Sequence, residues 1–195
     1  MTSRRTTVVA LAIAALACAA LYVASVHKYP SDRTPEGAYA RIAKAVNLGR
    51  PKDFFAYLET AAQHAAFTIH DYRKTARERV LAAYPEPERS RLAAEYAPEA
   101  EVADGPALFA LYAEKRGYLA RLRRDMSGIA SVETKGERAV VVTARGTRYA
   151  FRRRPENGIW GLTLFTASLA AEAERAARDL SIVEKAASDY AHVAQ

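Results

Sequence analysis

Residues 128–165 read GIASVETKGERAVVVTARGTRYAFRRRPENGIWGLTLF. Apolar residues recur at every second position in runs around 129–134, 138–145, 147–154 and 159–165, and turn residues separate the runs. Gly146-Thr147 suits a type II′ hairpin turn with glycine at its first central position, and Asn157-Gly158 suits a type I′ turn. The first turn predicts the pairs Arg145 with Arg148, Ala144 with Tyr149, Val142 with Phe151 and Val141 with Arg152. The second predicts Arg154 with Gly161, Arg152 with Thr163 and Phe151 with Leu164. Both registers place Val140, Val142, Tyr149, Phe151, Trp160, Leu162 and Leu164 on one face, because partners across a ladder point to the same side. An antiparallel meander with one buried face follows, and Arg145, Arg148, Arg152 and Arg154 are expected on the opposite face.

Outside this stretch the apolar period becomes helical. Thr34 can cap a helix with Pro35 at its first position; Ala38, Ile42, Ala45 and Val46 share a face until Asn47-Leu48-Gly49 stops it. Further helices are expected from about Pro51, carrying Phe54, Phe55, Leu58 and Ala62, and from Thr68 to Tyr84. Two more are expected over 88–96 and 106–125. After the meander, Ser168 can cap a long helix over 168–193 whose apolar positions Leu169, Ala173, Ala176, Leu180, Val183, Ala187 and Tyr190 form a heptad-like stripe.

At the other end, the 19 residues 8–26, VVALAIAALACAALYVASV, contain no charge and would span about 28 Å as a helix, close to one hydrocarbon core. The expected organisation is a short cytoplasmic tail over 1–7, a single-pass anchor over 8–26, a linker over 27–33 and an extracytoplasmic domain over 34–195. The place is then a bacterial inner membrane, with the domain periplasmic or extracellular. A cleaved signal peptide, lipidation at Cys18 and a twin-arginine signal at Arg4-Arg5 are the rival readings. The fold class is α+β: an N-terminal transmembrane helix, several helices packed on a curved antiparallel β-meander, and a long C-terminal helix.

The helix, short turn and helix in GAYARIAKAVNLGRPKDFFAYL, followed by GERAVVV, YAFRR and GIWGL, resemble the nuclear transport factor 2-like superfamily over residues 34–165. The resemblance implies a cone-shaped pocket between helices and sheet and brings no specific catalytic motif. That fold carries enzymes, carriers and scaffold domains alike. Four or five helical segments before the sheet and a long helix after it depart from the pattern.

One cysteine excludes a disulfide framework and a cysteine-rich zinc site, and no phosphate-loop, dinucleotide, zinc-protease or hydrolase signature is present. No cofactor is therefore expected. His64, His70, Asp71 and Tyr72 supply the residue types of a general base, an orienting carboxylate and a phenol. Six residues of helix turn about 600°, which puts His64 and His70 on different faces, so surface or helix-end polar residues are the simpler reading.

The charge is uneven. Residues 115–154 hold 12 Lys and Arg against Asp125, Glu133 and Glu137, a local +9 in a chain of +7. An extracytoplasmic domain meets little nucleic acid, which leaves an acidic protein or anionic lipid as partner of the arginine face, or a merely solvated face. The leading expectation is a membrane-anchored, non-catalytic domain binding a protein partner or an anionic envelope surface. The alternatives are a small-molecule carrier or enzyme using the cone-shaped pocket, and a homo-oligomer assembled through the C-terminal helix.

Overall fold

The computed structural model of the chain describes Cys18 and residues 30–193. Apart from Cys18, the expected span over 8–26 lies outside the described residues; among those described, no helix is long and apolar enough to cross a membrane. Among residues 30–193, seven helices and one four-stranded antiparallel sheet make an α+β fold. The helices are α1 (Pro35–Asn47), α2 (Pro51–Phe55), α3 (Thr60–Ala83), α4 (Glu88–Ala100), α5 (Gly105–Lys115), α6 (Tyr118–Asp125) and α7 (Thr166–Val193). The strands are β1 (Ile129–Lys135), β2 (Arg138–Thr143), β3 (Arg148–Arg153) and β4 (Trp160–Leu162), side by side in that order.

Local chemistry accounts for α1. The Thr34 hydroxyl accepts the Gly37 N–H at 3.2 Å, Pro35 occupies the first turn, and Gly49 takes the left-handed conformation just past the end. Tertiary structure overrides the local signal next. The helix from Pro51 stops at Phe55 because the backbone of 57–59 joins the sheet: Leu162 donates to the Tyr57 carbonyl at 2.8 Å and Glu59 to the Leu162 carbonyl at 3.0 Å. This covers the outer edge of β4. Gly161 is required there, since a Cβ would lie 2.7 Å from the Leu58 carbonyl oxygen. The expected 106–125 helix breaks at Gly117, which is left-handed with φ +66°.

The meander is present but its registers differ from the expected ones. The β2–β3 connection closes on Thr143 and Thr147, with Gly146 donating to Thr143 O at 2.8 Å and adopting φ +79° at the end of a three-residue loop. Glycine thus serves the left-handed position of a bulged loop, not the first centre of a two-residue turn. Val142 faces Arg148 and Val141 faces Tyr149, a shift of three residues. An odd shift exchanges faces. Ala139, Val141 and Thr143 are therefore buried, whereas Val140 and Val142, expected in the core, lie half-buried on the outer face.

The β3–β4 loop is four residues, 155–158, closed by Arg154 donating to Ile159 O at 2.9 Å. Phe151 consequently faces Leu162, a shift of two that preserves the face of Phe151, Trp160 and Leu162. Leu164, expected beside Phe151, is 47% exposed where the chain leaves the sheet, and Phe165 is buried in its place.

Two apolar clusters form the interior. The larger joins the inner sheet face to α1, α2, the first half of α3, α5 and Leu169 and Ala176 of α7. The smaller gathers Ala76, Val80 and Tyr84 with Ala93 and Tyr96 of α4 and Val183 of α7. The stripe expected on the C-terminal helix is thus consumed inside the chain, where α7 packs along α3.

Candidate functional site

The outer sheet face follows from the observed ladder. Side chains alternate along each strand, so Lys135, Arg138 and Arg152, which are direct partners, form one cationic row across β1, β2 and β3. The next row is Glu133, Val140 and Ala150, and the third is Ser131, Val142 and Arg148. At β4 the 57–59 backbone covers this face over Gly161, whereas β3 shows Arg148, Ala150 and Arg152 to solvent. Strand β1 is exposed on both sides save for Val132.

The four arginines expected here have separate fates. Arg148 lies on the outer face and pairs with Glu133 at 3.0 Å. Both side chains are more than half exposed, so the pair contributes little. Arg152 shares the face and reaches Glu59, only 6% exposed, at 2.9 Å. Glu59 accepts a second bond from the Thr166 hydroxyl at 2.7 Å, which satisfies both oxygens of a buried carboxylate. Arg145 sits in the β2–β3 loop and donates to the Arg124 carbonyl at the end of α6. Arg154 is half-buried beside Tyr57, donating to the Ala56 carbonyl, and burial lowers its guanidinium below the ordinary range. Arg145 and Arg148 do not face each other; the opposed like charges are Arg138 and Arg152. Neither Lys135 nor Arg138 has an ion pair or side-chain hydrogen bond among the described residues.

Of His64, His70, Asp71 and Tyr72, the structure brings together only His70 and Asp71. His64 is exposed, and Tyr72 packs against the larger core cluster. His70 is 9% exposed; Nδ1 lies 3.1 Å from an Asp71 oxygen and Nε2 lies 3.0 Å from the Val102 carbonyl. Both neighbours are acceptors, so the ring is a strut between α3 and the 101–104 segment. Among the described residues no three His, Cys, Asp or Glu side chains are grouped to hold a metal ion. An open groove of about 750 Å³ lies at the β3–β4 loop, lined by Arg33, Arg153 and Arg154 with Glu137 and Glu156.

A buried charge cluster escaped the sequence reading. Arg73, 7% exposed, donates from Nε to Glu99 at 2.8 Å and from Nη1 to Asp179 at 2.6 Å, with Glu172 at 3.8 Å and the Tyr96 ring centre at 5.3 Å. Glu172 also takes Arg116 at 2.9 Å and Arg175 at 3.3 Å, while the Tyr112 hydroxyl donates to Glu99 at 3.0 Å. Burial, reinforced by the Glu99 carboxylate, holds the Tyr112 phenol far above its ordinary range. Every carboxylate here is matched by an arginine, so the cluster fastens α3, α4, α5 and α7 together. The available signal was Arg73 itself, a charged residue at a stripe position four after Ile69 and three before Ala76.

Comparison with known proteins yields no match to the chain, whether by family model, curated relative or solved structure.

Proposed function

We propose that residues 30–193 form a non-catalytic binding domain, held at a membrane by residues 8–26, that engages an acidic protein partner or an anionic envelope surface through its outer sheet face. The observation that carries this reading is the Lys135, Arg138 and Arg152 row. Like charges directly opposite in a sheet cost roughly 0.2 to 1 kcal/mol, and the face also leaves Lys135 and Arg138 without an internal counter-charge. An external anion offsets that repulsion. The resemblance to the nuclear transport factor 2-like superfamily is compatible with a scaffold role and supplies no substrate.

The arginine pair best suited to a test changes once Arg152 is known to hold Glu59. Reversing Arg152 sets it against the buried acid Glu59 at the β4 edge, whereas Lys135 and Arg138 are exposed. Both core clusters are built from residues between 38 and 190, so a soluble fragment over 30–195 contains the whole interior. That fragment is expected to bind phosphatidylglycerol vesicles or polyglutamate at low salt, to release them as salt shortens the Debye length toward about 8 Å, and to bind more weakly as Lys135→Glu/Arg138→Glu. Failure to bind either anion at low salt, or equal binding by the folded double variant, overturns the reading.

A further inference from the structure

The segment expected as a linker is part of the domain at its last residues. Arg41 donates to the Pro30 carbonyl at 2.6 Å, the Trp160 indole N–H to the Arg33 carbonyl at 3.0 Å, and the Trp160 backbone N–H to the Asp32 carbonyl at 3.3 Å. Gly37 lies so close beneath that a Cβ there would be 1.9 Å from the Ser31 oxygen. The direction of the chain at Pro30 is therefore set by the fold. Only residues 27–29 separate it from the end of the apolar run at Val26, and four extended steps reach at most about 14 Å.

Sheet topology decides which charges stand near that point. In an antiparallel meander the β1–β2 and β3–β4 connections share one end, and Trp160 fastens Pro30–Arg33 to it. The cationic row is the last row at this same end, beside Gly136 and Gly161. Arg33, Arg153 and Arg154 surround the neighbouring 155–158 loop. With Arg41 these make seven cations against Asp32, Glu59, Glu137 and Glu156. The opposite end also carries arginines, at Arg145 and along α6, but it lies about 20 Å away along β2, roughly two Debye lengths.

We infer that the Pro30 end of the domain, edged by Lys135, Arg138 and Arg152, rests on the anionic headgroups of the bilayer that residues 8–26 span, so that the domain stands on the membrane in one orientation. The inference builds on the anchored reading above and commits the basic row to lipid. Each Lys or Arg held near an anionic surface adds attraction that fades within a Debye length, and the short tether keeps this end inside that range.

The test uses the full chain in nanodiscs, with Cys18→Ser and one dye-labelled thiol, at Pro155→Cys or at Ala144→Cys on the opposite end. Energy transfer to a headgroup-labelled lipid is then measured. In discs containing phosphatidylglycerol, transfer from position 155 exceeds that from 144; the excess shrinks in pure phosphatidylcholine and is lost in Lys135→Glu/Arg138→Glu. The milder Lys135→Gln/Arg138→Gln shows a partial loss and guards against misfolding of the reversed variant. Equal transfer from the two positions, or an excess indifferent to lipid charge and to both variants, overturns the inference. Alkaline extraction separates the two readings: release of the chain from native membranes sinks the anchor, whereas a retained chain without the excess sinks only the orientation. A retained chain that shows no excess yet binds polyglutamate through Lys135 and Arg138 assigns the row to an acidic protein instead.

Discussion

Replacing Arg73 with Met tests whether the buried charge cluster, and not apolar packing alone, joins the two halves of the interior. Ile69 belongs to the larger apolar cluster and Ala76 to the smaller, and Arg73 stands between them on the same face of α3. Methionine keeps the unbranched apolar stem and removes the guanidinium with every hydrogen bond it makes. Glu172 keeps Arg116 and Arg175, whereas Asp179 and Glu99 both lose their ion pair to Arg73, and Glu99 keeps only the Tyr112 hydroxyl. Removing one partner of a buried pair costs about 3 to 5 kcal/mol. Because the Asp179 and Glu99 side chains are 33% and 22% exposed and regain water, the lower limit applies, about 3 kcal/mol. For a domain of this size that lowers the melting midpoint by about 6 to 12 °C. Urea and thermal unfolding of the 30–195 fragment measure it. Adding Glu99→Gln and Asp179→Asn to Arg73→Met should recover part of the loss, since neutral amides no longer need a cation. An Arg73→Met variant within about 1 kcal/mol of the parent, or a triple variant no better than the single one, refutes the argument.

Two more outcomes follow from the sheet. Among the described residues the buried Tyr149 hydroxyl has no hydrogen-bond partner, and burial, with Tyr39 alongside, pushes its phenol up to about 12. The unfolded phenol ionises near pH 10, so stability held below pH 10 falls as pH rises from 10 to 12. Tyr149→Phe should therefore lose less stability over that window while unfolding no earlier at pH 7, and parallel stability curves for the two proteins would count against the assignment. Gly161→Ala drives a methyl into the Leu58 and Glu59 backbone and should cost about 1 to 3 kcal/mol by denaturant unfolding; an unchanged midpoint would show that the bridge between 57–59 and β4 is not formed.

Several features were legible in the residues because they depend on near neighbours. Thr34 and Pro35 start α1 and Gly49 ends it, the long last helix begins within two residues of Ser168, and alternation marks the strands. Tyr149, Phe151, Trp160 and Leu162 share the buried face as expected, because a shift of two leaves the side of a strand unchanged. The β2 face was not legible. A two-residue turn and a three-residue bulged loop both call for glycine at Gly146, and the choice rests on contacts from elsewhere: Arg145 N–H to the Ser127 hydroxyl and Ala144 N–H to the Gly128 carbonyl. That choice moved Val140 and Val142 outward and made Arg138, not Arg145, the residue opposed to another arginine.

The sequence by itself determined that helices precede an antiparallel meander and a long helix follows it, the concentration of basic residues in 115–154, and the apolar run at 8–26, since each is a property of composition or of spacing within a few turns. Only the tertiary structure decided which charges are spent inside and which remain exposed. Arg73 meets Asp179 across 106 positions and Arg152 meets Glu59 across 93, while among the described residues Lys135 and Arg138 stand beside one another and Arg152 without an ion pair. Local periodicity says which way a side chain leaves its own helix or strand; what it meets depends on how distant elements pack.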